Sequence, residues 1–177
     1  MRSLIVVLVG VLLLSSGLFA KDNVYIGVEY GIAGASENIT KSNYNPDLGN
    51  HAGYSTYNTM KIGKYFGSHR ISLDVDSGRK IGFNYDYIFD TSIYGLYPYV
   101  GTGYFYQTTQ YTNSDASGRG AFIPFTIGLE YDLNKEFAID FGFRITTDTY
   151  SYSSYYFDYD SGASTGVFLS ILYNFKD

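Results

Sequence analysis

Apolar and polar residues alternate with a period of two over most of this chain, the pattern of strands with one apolar and one polar face. In residues 24–32, Val24, Ile26, Val28, Tyr30 and Ile32 share one face, with Tyr25, Gly27, Glu29 and Gly31 opposite. The final segment does the same, Val167, Leu169, Ile171, Tyr173 and Phe175 standing against Gly166, Phe168, Ser170, Leu172 and Asn174. Six more segments lie between, at 54–66, 69–77, 80–89, 96–107, 121–132 and 136–147. The pattern therefore predicts eight strands, most of them near the length that a tilted membrane strand needs.

The connections alternate in length. Gly67-Ser68, Asp90 to Gly95 and Leu133-Asn134-Lys135 are short. The other set, 33–53, 107–120 and 148–162, is long, with 76–80 as the short exception. Hairpins with short turns at one end and long loops at the other predict an up-and-down antiparallel transmembrane barrel. An even strand number puts both termini at the short-turn end, which is the periplasmic end of such a barrel.

The N-terminus follows another rule. Arg2 precedes an apolar run from Leu4 to Leu14, interrupted only by Gly10, and then Ser15-Ser16-Gly17-Leu18-Phe19-Ala20. This reads as a helical signal peptide over residues 1–20, cleaved after Ala20, too short to span a bilayer. The barrel is then the single domain over 21–177.

Composition narrows the function. No Cys is present, which excludes disulfide scaffolds, thiolate metal sites and a lipid-modified N-terminal Cys. Tyr (21), Phe (13) and Gly (20) dominate and Pro is scarce (3), which favours strands and turns over helices. A net charge of −5 gives no basic footprint for nucleic acid.

Alternation does not say which face points inward, and a secreted lipocalin-like binder would turn the apolar face in. Volume favours the opposite. The apolar face carries roughly five large side chains per strand, too many for an interior just wide enough for side chains. The other face is Gly, Ser, Asn and Asp with a few bases, which suits a narrow polar lumen. Its charges, Glu29, Asp74, Asp86, Glu130 and Asp140 against Lys61, Arg70, Lys80 and Arg144, are near balance, so they predict an ion-pair network that plugs the lumen. Tyr30, Tyr65, Tyr87, Tyr97, Tyr104, Tyr106 and Tyr131 are expected at the two headgroup levels.

Three segments carry a family resemblance: Tyr97-Pro98-Tyr99-Val100-Gly101-Thr102-Gly103-Tyr104, Ile127-Gly128-Leu129-Glu130-Tyr131-Asp132-Leu133, and Phe141-Gly142-Phe143-Arg144. In their order and spacing the chain resembles the OmpA-like family of small outer-membrane β-barrels. The terminal strand resembles the sorting signal read by the outer-membrane assembly machinery, with Tyr173 and Phe175 as its aromatics. Lys176 and Asp177 follow Phe175, where many members end on the aromatic, and weaker recognition is expected. The resemblance implies residence in the outer membrane of a Gram-negative bacterium, contact with its lipid and lipopolysaccharide, a monomer, and a structural, adhesive or slow-permeation role.

Chemistry is hard to find. His69 falls in a short turn, and His51 lies in the first long loop near Ser36 and Ser55 without a visible base-orienting partner. No enzyme activity, cofactor or metal is expected. The Tyr- and Ser-rich segment 148–162, with Tyr150, Tyr152, Tyr155, Tyr156, Phe157 and Tyr159, has the composition of a binding loop for an extracellular ligand, or is the last two strands extended past the membrane as a ribbon with exposed Tyr. A narrow low-conductance porin is the alternative function.

Overall fold

The structure is a computed structural model that describes residues 23–42, 51–77, 80–110, 117–148, 151–153 and 157–175. The expected signal peptide lies outside these residues.

The strands are β1 (Val24–Ser42), β2 (His51–Phe66), β3 (His69–Asp76), β4 (Lys80–Ile88), β5 (Leu96–Gln110), β6 (Ser117–Asp132), β7 (Phe137–Asp148), β8 (Ser151–Ser153) and β9 (Phe157–Asn174). Each pairs antiparallel with its neighbours, and β1 pairs with β9, so the sheet closes on itself and has no free edge. The three-residue β8 pairs with β6 and β9 beyond the end of β7. It continues the line of β7, and the barrel is eight-stranded.

At 33–53 and 107–120 the structure corrects the expected loops, because β1 runs on to Ser42 and β5 to Gln110. At 148–162 it has the extended ribbon that was one of the two expectations, with β9 beginning at Phe157. The barrel wall extends as a paired ribbon, because backbone donors and acceptors there find partners across the sheet, as in Glu37 opposite His51.

The short turns follow from local chemistry. Gly67, with φ 60°, opens the two-residue turn between the paired Phe66 and His69. That left-handed conformation is open to glycine at little cost. Tyr94 (φ 54°) and Gly95 (φ 80°) make the next turn, closed by Ile93 and Leu96. In the third, the Asn134 side-chain oxygen accepts the N–H groups of Glu136 and Phe137.

One exposed large apolar residue from each long strand shows which face is outside: Val28, Met60, Val75, Phe83, Val100, Ile127, Phe143 and Leu169. A lipocalin-like apolar cavity is therefore not what this chain builds. The interior differs in one respect from the small polar lumen expected. Tyr25, Tyr99, Phe105, Phe122, Phe168 and Leu172 are buried inside it.

Glycine makes room for these rings. A Cβ at Gly128 would sit 2.4 Å from Tyr99 Cζ, and one at Gly31 would sit 2.2 Å from Tyr57 Cζ. Each tyrosine thus lies flat across a glycine of a neighbouring strand. Gly128→Val should cost about 1–3 kcal/mol by expelling the Tyr99 ring, read from urea unfolding of the detergent-folded protein. A variant as stable as the parent would mean that the ring has room elsewhere.

Candidate functional site: the ion-paired lumen

Inward positions on β1 to β4, β6 and β7 bring eight charged side chains into the lumen, all at most slightly exposed, in two clusters. The first centres on Glu29 of β1. Arg144 of β7 donates from Nη1 to Glu29 Oε1 at 2.6 Å and from Nη2 to Oε2 at 3.1 Å, a two-pronged contact across the closing β9 strand. Lys61 Nζ stands 2.6 Å from Glu29 Oε2 and 3.7 Å from Asp74 Oδ2. Ser170 donates its hydroxyl to Glu29, Ser72 donates to Asp74 Oδ1, and the Asn84 amide donates to Asp74 Oδ2. The four lone-pair directions of each carboxylate are therefore largely used.

The second cluster centres on Arg70 of β3. Its Nε donates to Asp86 Oδ2 at 2.9 Å and its Nη1 to Glu130 Oε2 at 2.6 Å. Nη1 also lies 2.9 Å from Asp140 Oδ2, although neither Asp140 oxygen accepts a hydrogen bond in good geometry from the described residues. The contact to Asp140 is therefore electrostatic. Glu130 and Asp140 are direct cross-strand partners on β6 and β7, so one guanidinium holds two facing carboxylates together.

Aromatic rings separate and cover the clusters. The Arg70 guanidinium lies 4.8 Å from the Tyr99 ring centroid, and that of Arg144 lies 4.5 Å from the Phe168 centroid. The Tyr65 hydroxyl donates to Glu130 Oε2 at 2.9 Å. Tyr65 and Tyr97 were both expected at the headgroup level. Tyr65 instead points inward and Tyr97 packs against the buried Ile88, Tyr99 and Phe168, because odd positions of β2 and β5 face the lumen at this end. Strict counting from Lys61 and Gly101 would have found this.

Charge balance also changes. Lys80 lies over the Phe122 ring, 4.5 Å from its centroid, and joins neither cluster. Five carboxylates (Glu29, Asp74, Asp86, Glu130, Asp140) then face three cations (Lys61, Arg70, Arg144), a formal excess of two negative charges.

The other candidate residues are dispersed. His69 is at the short-turn end on the outer face, its Nδ1 2.7 Å from the Tyr85 hydroxyl. His51 pairs in backbone register with Glu37 at the far end. Tyr152, Phe157 and Tyr159 have strand backbone in β8 and β9, while Tyr150, Tyr155 and Tyr156 lie outside the described residues. Tyr173 and Phe175 face outward with rings 5.1 Å apart, and Tyr173 also packs on Phe137. Among the described residues no group of three His, Cys, Asp or Glu side chains is placed to hold a metal ion.

No protein-family model and no curated protein matches the chain. Solved structures do. Neisserial surface protein A (NspA) superposes with a TM-score of 0.62 at 17% identity, over 88% of this chain and all of that one. The outer membrane protein OprG of Pseudomonas aeruginosa (TM-score 0.44, 12% identity, 90% and 99% covered) and the N-terminal β-barrel domain of OprF of the same organism (TM-score 0.42, 21% identity, 84% and 97% covered) are also similar. At these identities the likeness concerns fold alone: this chain has the closed eight-stranded antiparallel β-barrel that NspA has.

Proposed function

We propose that the chain is an outer-membrane β-barrel of a Gram-negative bacterium whose role is structural and surface-presenting, with the lumen plugged by its ion pairs. One observation carries the reading: all eight long strands turn large apolar side chains outward while charges fill the interior. In water such a surface far exceeds the apolar patch a monomeric soluble protein tolerates. In a bilayer it is the required lipid-facing band.

In this reading the short turns and both termini are periplasmic, and the extended β1–β2, β5–β6 and β7–β9 ends project from the cell surface. The Tyr- and Ser-rich segment around 148–162 would present an adhesive face to an extracellular ligand. The partners are outer-membrane lipid, lipopolysaccharide and, during biogenesis, the assembly machinery reading Tyr173 and Phe175. The role requires no enzymatic step or cofactor, and the chain acts as a monomer.

Fractionation tests the location: the protein should appear in the outer-membrane fraction and migrate differently on gels before and after heating. Recovery in the soluble periplasm would end the proposal.

The acidic excess of the lumen favours a second reading, a narrow cation-preferring pore. Planar-bilayer recordings separate the two. The plugged barrel should give no steady conductance, and a stable cation-selective current from folded wild-type protein would replace the plug with the pore.

A further inference from the structure

The acidic excess of the lumen is not spread evenly. In the cluster around Glu29, two carboxylates (Glu29, Asp74) meet two cations (Lys61, Arg144). In the cluster around Arg70, three carboxylates (Asp86, Glu130, Asp140) meet one. Both surplus charges therefore fall in the second cluster, among buried side chains.

The donors there are shared unequally. Arg70 gives one hydrogen bond to Asp86 and one to Glu130, and the Tyr65 hydroxyl gives Glu130 another. Asp140 is 1% exposed, and neither of its oxygens accepts a hydrogen bond from the described residues. Its Oδ2 competes with Glu130 Oε2 for the same Arg70 Nη1, at 2.9 and 2.6 Å. The register holds the two carboxylates together, since Asp140 lies directly opposite Glu130. The other groups that act on the pair do not restore the balance. Lys61 acts on Asp140 but is engaged by Glu29 at 2.6 Å, while Asp86, Glu29 and Asp132 add like charge. Tyr99 faces the pair from β5 as a neutral phenol. Ser170, opposite Asp140 on β9, donates its hydroxyl to Glu29 instead. A carboxylate with neither water nor a donor is neutralised at less cost than it is kept charged, and two carboxylates on one site do not both ionise readily.

We infer that Glu130 and Asp140 form a proton-binding site, holding one proton between them at neutral pH while the lumen is shut. The site rests on the plugged-lumen reading above. A proton is the cation that fits, because it needs no volume. A metal ion would need more ligands than the described residues bring together. The sign of the pH dependence follows. Unfolded carboxylates lose their protons at about pH 4. Above that the folded barrel binds one proton more than the unfolded chain, so stability falls as pH rises. The unfolding constant then grows about tenfold per pH unit until the folded pair releases the proton.

Infrared difference spectroscopy of the detergent-folded protein reads the proton directly. Wild type at neutral pH should show the C=O stretch of one protonated carboxyl. Asp140→Asn and Glu130→Gln should each abolish it, because the carboxylate left behind no longer shares Arg70 Nη1 and ionises. In urea, between about pH 5 and pH 7, the wild-type unfolding constant should rise about tenfold per unit relative to that of Asp140→Asn. If Asp140→Asn does not fold, Glu130→Gln is compared in the same way. Absence of the band from folded wild type, a band that survives both substitutions, or equal pH slopes for wild type and a folded variant would overturn the site. Each sample is also recorded in planar bilayers. Steady conductance by wild type would bring down the plugged lumen and the site together, whereas a missing band in a non-conducting barrel concerns the site alone.

Discussion

Arg70→Met should destabilise the folded barrel by about 3–5 kcal/mol, the cost of leaving buried charge without its partner. Among the described residues Arg70 is the cation paired with Asp86, Glu130 and Asp140, at 2.9, 2.6 and 2.9 Å. Without it the described residues offer Glu130 only the Tyr65 hydroxyl and offer Asp140 no hydrogen bond. Methionine fills much of the same volume, so packing loss is small and the electrostatic effect dominates. Urea unfolding of detergent-folded protein, followed by circular dichroism, measures it. The quadruple change Arg70→Met, Asp86→Asn, Glu130→Gln, Asp140→Asn should recover most of the loss, because neutral amides have no unpaired charge to strand. A loss below about 1 kcal/mol would mean that water screens the cluster as it screens surface pairs, and the plug would be untenable.

The second large effect is expected on the opposite face. Phe143→Arg should cost about 2–4 kcal/mol, the penalty for a cation near the bilayer midplane of a barrel. Phe143 lies between Ile127 and Val167 on neighbouring strands, midway along the apolar band, where an arginine head has the farthest to reach for either interface. The readout is folding yield and urea stability in phospholipid vesicles. A variant that folds unchanged there, or a parent that stays dispersed without detergent, would remove the support for a lipid-facing exterior.

The barrel was legible because its physics is local. Alternation at residues such as Val28, Glu29 and Tyr30 assigns faces without knowledge of any partner strand, and turn residues such as Gly67 and Asn134 mark where the chain reverses. Strand ends were less legible. Backbone pairing such as Glu37 with His51 depends on the opposing strand being there, and the polar residues involved carry no apolar period. The charged lumen residues could be grouped by face, but their pairing could not be read. Arg70 meets Glu130 across the interior of the barrel, and Lys80 falls outside both clusters, because strand stagger sets the height of each side chain. Tyr65 and Tyr97 were misplaced by composition, which favours tyrosine at interfaces, over parity, which puts both inside.

The two-pronged contact between Glu29 and Arg144 joins residues 115 apart in the chain, on opposite sides of the last strand to be made. Hairpins between consecutive strands can form without it. This contact waits until β9 lies between β1 and β7, when the cylinder shuts. Such late contacts act mainly on the rate of unfolding and little on the rate of folding. In the membrane setting proposed above, this contact would act as a latch set at closure, slowing unfolding more than folding.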